Sequence, residues 1–80
     1  MDSTSDFILD SLKEEPIGET DHFIWFITDI GIAAIFKREQ NYETYSLNVE
    51  KEANKLGLDI TKEEKEFLTI KEIKLFLFYS

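Results

Sequence analysis

His22 is the only histidine in the sequence, and it stands beside Asp21. An imidazole next to a carboxylate is the smallest arrangement that could take a proton from a nucleophile. The pattern lacks the nucleophile. Ser3, Ser5, Ser11 and Ser46 lie in no nucleophile-elbow context, and no glycine-rich loop offers an oxyanion hole. The carboxylates Glu63, Glu64 and Glu66 form a second cluster, open to reading as metal ligands or an acid/base pair. They fall where Thr61 and Glu64, at capping-box spacing, predict a helix start, and acids in a first turn complement the macrodipole. One histidine and no cysteine make no recognisable zinc set. Phosphate loops, dinucleotide fingerprints, EF-hand loops and triad signatures need fixed residues that do not occur. The residues point away from an enzyme and from a cofactor or metal.

Charge is the stronger signal. The 80 residues hold 17 acidic and 9 basic side chains, a net of −8. Residues 1–36 carry eight of those acids and a single base, Lys13, whereas residues 37–80 are nearly balanced. A field of that sign disfavours direct contact with a phosphate backbone and attracts basic protein surfaces. Asp2, Asp6, Asp10 and Glu14 recur at every fourth residue and line one stripe of a helix, and Glu15, Glu19 and Asp21 extend the acidity. Like charges at that spacing weaken an isolated helix.

These residues must be positioned by a single small domain spanning residues 1–80, since the length leaves no room for a second. An acidic helix is predicted over residues 1–15, capped by Ser3 or Ser5 and ended by Pro16. Phe23–Thr28 is aromatic or β-branched throughout and reads as a strand. Asp29, Ile30 and Gly31 supply turn chemistry, and Ile32–Lys37 is the return strand. One apolar helix over residues 23–36 is the competing reading, but as a membrane span it is too short, about 21 Å against about 30 Å of hydrocarbon. Residues 43–49 alternate, with Tyr45, Leu47 and Val49 on one face, and are expected as a third strand. A short helix from Glu50 closes at Gly57, and a further helical part starts at Thr61. Ile73–Tyr79 is read as a continuation of that helix because no turn residue precedes it. As a strand it would place Ile73, Leu75, Leu77 and Tyr79 on one face.

The expected class is therefore α+β, a three-stranded antiparallel meander packed against helices in the order α-β-β-β-α-α. The sheet is expected over residues 22–49 and a helical part over residues 50–79. The start, MDSTSDFILD, lacks the features of a secretory signal, which makes the cytoplasm the expected compartment.

The expected function is a small acidic protein-interaction module, an inhibitor or adaptor. It docks on the basic, nucleic-acid-binding surface of a larger partner, as a viral antagonist of bacterial defence or transcription would. Asp2, Asp6, Asp10, Glu14, Glu15, Glu19 and Asp21 would carry the contact. The alternative is a structural or assembly subunit forming a homo-oligomer through apolar Trp25, Phe76, Phe78 and Tyr79. A small-molecule pocket lined by Trp25, Phe26, Phe67 and Phe76 is a weaker third reading, since such aromatics more often form a core.

Overall fold

The structure, a computed structural model, describes residues 8–10, 12–38, 42–60 and 65–79. The described elements are β1 (Gly18–Glu19), β2 (Phe23–Thr28), β3 (Gly31–Phe36), α1 (Tyr42–Lys55), β4 (Lys65–Ile70) and β5 (Ile73–Tyr79). The strands form one antiparallel sheet in the order β1-β2-β3-β5-β4. Both β3 and β4 run antiparallel to β5, so they run parallel to each other, and α1 lies on the connection between them.

The three-stranded meander in the order α-β-β-β-α-α is thus corrected to a five-stranded sheet with one main helix. Two local misreadings account for it. Residues 43–49 belong to α1, not to a third strand. Tyr45 and Val49, four apart, share the buried face with Glu52 and Ala53, while Leu47 is 78% exposed. A strand would have buried all three of the alternating apolar residues, and a helix buries only those at its own period. Glu43 in the first turn and Lys55 in the last complement the helix dipole.

The second misreading is the helical part over residues 50–79. Residues 65–79 form the β4–β5 hairpin, in which Ile70 pairs with Ile73. Its two-residue turn, Lys71–Glu72, has φ of 48° and 73°, the left-handed pair that a tight hairpin needs. Neither residue is a usual turn former, and the β-branched and aromatic content of the flanking strands outweighs that local strain. Replacing the pair by Lys71→Asn and Glu72→Gly is expected to stabilise the protein by about 1 kcal/mol. Thermal unfolding should rise by about 4–8 °C for a domain of this size; an unchanged midpoint would contradict a left-handed turn here.

Other readings hold. Phe23–Thr28 and its return strand form a hairpin in which Phe23 pairs with Phe36 and Thr28 with Gly31. Helix α1 starts before Glu50 but ends where foreseen. Gly57, at φ 74°, donates to the Asn54 carbonyl, and the Leu58 N–H donates to Ala53, which closes a Schellman cap. At the N-terminal end, the described turn at residues 8–10 is helical, with the Leu12 N–H on the Ile8 carbonyl at 3.0 Å.

Both sheet faces are covered. Against one, α1 packs Tyr45, Val49 and Ala53 onto Phe23, Trp25, Ala34, Phe76 and Phe78, with Leu58 and Ile60 beside them. Against the other, Ile8, Leu9 and Leu12 pack onto Phe26, Ala33, Leu75 and Leu77. The apolar residues on both faces of β2 find their cover in these two layers.

Candidate functional site

The chain passes from the second face to the sheet edge through residues 12–17 and enters β1. The Ile17 N–H donates to the Trp25 carbonyl at 2.8 Å, Gly18 pairs with Trp25, and the Thr20 N–H donates to the Phe23 carbonyl at 2.9 Å. Two residues of pairing are a weak hold for an edge strand. A buried carboxylate reinforces it.

Glu52, on the inner face of α1, accepts from the His22 backbone N–H at 2.8 Å and lies 2.6 Å from His22 Nδ1. The Thr20 hydroxyl also hydrogen-bonds this carboxylate, and it accepts the Trp25 indole N–H at 2.9 Å. The side chain of Glu52 is 4% exposed and that of His22 29%. Burial alone would push the Glu52 carboxyl up. The Thr20 hydroxyl, the His22 N–H, the His22 ring and its charge outweigh burial and hold the carboxyl below its ordinary value. Helix α1 is thereby fastened to the segment between β1 and β2.

The expected effect of Glu52→Gln is a loss of about 2 kcal/mol at neutral pH, from weakened charge-assisted bonds to groups that stay buried. Because the folded carboxyl titrates below the ordinary 4.5, its stabilisation is complete above that value and fades as pH falls through the lower folded value. Urea unfolding of the two proteins should therefore converge in acid; parallel curves from pH 7 to pH 3 would contradict the assignment.

Chemically, the arrangement links α1 to the sheet edge. The Thr20 hydroxyl, the one candidate nucleophile in the network, accepts from the Trp25 indole and has the Phe23 carbonyl at 3.4 Å and the Glu52 carboxylate as its acceptors. The His22 ring packs edge-on against Phe23 and Tyr45. The Tyr45 hydroxyl is buried and has no hydrogen-bond partner among the described residues, at a cost of about 1–3 kcal/mol. No group of three metal-binding side chains occurs among the described residues.

The acids expected to carry binding are divided. Asp10, Glu14, Glu15, Glu19 and Asp21 are all exposed along the strap that leads into and out of β1. Asp2 and Asp6 lie outside the described residues. Glu19 pairs with Lys37 at 3.2 Å, and Lys37 also donates to the Thr20 carbonyl at 3.2 Å. The Asp10–Lys13 pair, at 3.5 Å, is largely solvated and contributes little.

Of the apolar residues that the self-association alternative would use, three lie in the core. Trp25 and Phe76 are fully buried and Phe78 is 2% exposed, because α1 covers the face they occupy. Of the four only Tyr79 reaches the surface, and its hydroxyl donates to Glu66. The four aromatics of the weaker pocket reading are not brought to one cavity: Trp25 and Phe76 sit in one buried cluster, Phe26 in the other, and Phe67 is 40% exposed. Of the acidic cluster, Glu63 and Glu64 fall outside the described residues and Glu66 lies in β4.

Glu52 was not singled out from the sequence. It stands seven residues after Tyr45 and three after Val49, a signal that appears only when those residues are placed on one helix.

A family model for a domain of unknown function, DUF8674, matches residues 6–80. The chain belongs to that family. The matched span takes in the helical turn at residues 8–10, the acidic strap, every strand and α1. No curated protein and no solved structure matches the chain. No helix among the described residues is long and apolar enough to cross a membrane.

Proposed function

We propose that this chain is a protein-interaction module whose working surface is the acidic strap of Asp10, Glu14, Glu15, Glu19 and Asp21. The observation that carries the proposal is that all five carboxylates are exposed along residues 10–21, a stretch whose far end the buried Glu52 fastens to α1 through the His22 N–H. Preorganised charge of one sign steers association with a surface of the other sign and loses less entropy on docking. The partner is a basic protein, and the finer reading is a nucleic-acid-binding surface that the strap blocks as a charge decoy. Nucleic acid itself is disfavoured by the same field. The role is binding and not catalysis, as inhibitor or adaptor, and its setting is the cytoplasm, where a cysteine-free fold loses nothing to reducing conditions.

The test is capture from host lysate on the immobilised chain at low and raised salt, after its mass has been fixed by light scattering. The expected result is a monomer that retains a basic partner at low salt and releases it as salt screens the contact. A salt-resistant homo-oligomer with no captured partner would overturn the proposal in favour of self-assembly.

A further inference from the structure

The β2–β3 ladder runs to Phe36 and the β4–β5 ladder to the Ile70–Ile73 pair, yet the β3–β5 ladder between them stops at Ile35–Leu75. The end of β3 and the β4–β5 hairpin therefore diverge, and a groove of about 700 Å³ opens between them. Its size lies in the range of small-molecule sites. Ile35, Phe36 and Ile73 supply apolar lining, and Thr69 adds a hydroxyl. Among the described residues, the charged lining is Lys37, Arg38 and Lys74 against one carboxylate, Glu72. Three of the nine cations of an acidic chain thus converge on one opening, on two separate elements. Residues 37–80 are nearly balanced in charge, so this excess of cations is local to the opening.

From this we infer that the groove binds a small amphipathic anion, an apolar body bearing a carboxylate or phosphate group. The body lies in the gap between Ile35 and Ile73, which pack on one sheet face, and Phe36, which packs on the other, while the anionic head meets Arg38 and Lys74. Arginine offers a planar fork for either head group, and lysine a mobile point charge on an apolar stem. Lys37, held by Glu19 and the Thr20 carbonyl, adds field more than direct contact. This site uses none of the acidic strap, so its success or failure is separate from that of the proposed partner contact.

The experiment is a titration of the ¹⁵N-labelled full chain, followed by amide shifts, with phenyl phosphate and with phenylacetate. Benzyl alcohol and inorganic phosphate serve as the body and the head alone. Saturable shifts over Ile35–Arg38 and Thr69–Lys74 are expected, with a Kd of about 1 mM or below. Each fragment should bind at least about tenfold more weakly. The tighter of the two intact probes names the head group. Arg38→Gln combined with Lys74→Gln should raise the Kd about tenfold while the rest of the spectrum stays folded. Non-saturating shifts, shifts shared with Lys13, Lys51 and Lys55, equal affinity for a fragment, or a variant that binds as the wild type would each overturn the site.

Discussion

Gly31→Ala is expected to destabilise the protein by about 4 kcal/mol, a large share of the roughly 4–12 kcal/mol available to a domain of this length. Gly31 opens β3 at φ 155°, paired with Thr28 on one side and Tyr79 on the other. A Cβ there would overlap the Phe78 backbone carbonyl oxygen, which cannot move without breaking the β3–β5 ladder. The position is also locked from the β2 side. The buried Thr28 hydroxyl donates to the Gly31 carbonyl at 2.8 Å and accepts its N–H at 3.1 Å. Gly57→Ala is the useful comparison, since Gly57 has φ 74° but nothing near its missing Cβ. It should cost only the left-handed strain, about 1–2 kcal/mol. Urea unfolding of both variants checks the pair, and equal losses would mean that close approach of the strands is not what Gly31 provides.

Ile8→Ala should cost about 3 kcal/mol, because Ile8 is fully buried against Phe26, Ala33, Leu75 and Leu77. The consequence reaches beyond one side chain. Among the described residues, Ile8, Leu9 and Leu12 cover the second sheet face, so loosening them bares a surface that aggregates or binds dyes. From the sequence, the acidic stripe on this segment fits either the solvated face of a docked helix or, less well, a ridge ordered only on binding. Burial of Ile8 places the segment in the fold of the free chain. Thermal unfolding distinguishes the two: a loss under about 0.5 kcal/mol is what an undocked segment would give.

The sequence was most readable where local chemistry and tertiary structure agree. Phe23–Thr28 is β-forming at every position and carries its own hairpin, while Gly57 ends a helix by the only conformation that suits it. It was least readable where one pattern serves two periods. Tyr45 and Val49 satisfy both an alternating strand and an i, i+4 helix, and only the exposure of Leu47 separates them. Lys71–Glu72 conceals a tight turn because its left-handed conformation is imposed by strand pairing and not by residue preference. Those two positions propagate. Once residues 43–49 are helix, Trp25, Phe76 and Phe78 acquire a cover, while Ile27, Leu47, Phe67 and Tyr79 keep apolar surface exposed. The same change brings Glu52 inward to His22. The acidic strap could be read directly because exposure of a carboxylate needs no tertiary partner, whereas its anchoring through Thr20, His22 and Glu52 joins residues thirty positions apart.

The central claim is that location, and not total charge, makes the strap a docking surface. The most direct measurement compares two variants with equal charge loss for binding to the captured partner by calorimetry, at low and at physiological salt. One carries Glu14→Gln, Glu15→Gln and Asp21→Asn; the other carries Asp29→Asn, Glu43→Gln and Asp59→Asn, exposed acids outside the strap. The strap variant should lose at least about tenfold in affinity at low salt and flatten the salt dependence, while the second stays within about threefold of the wild type. Equal losses in the two would contradict the account and reduce the acidity to a general field.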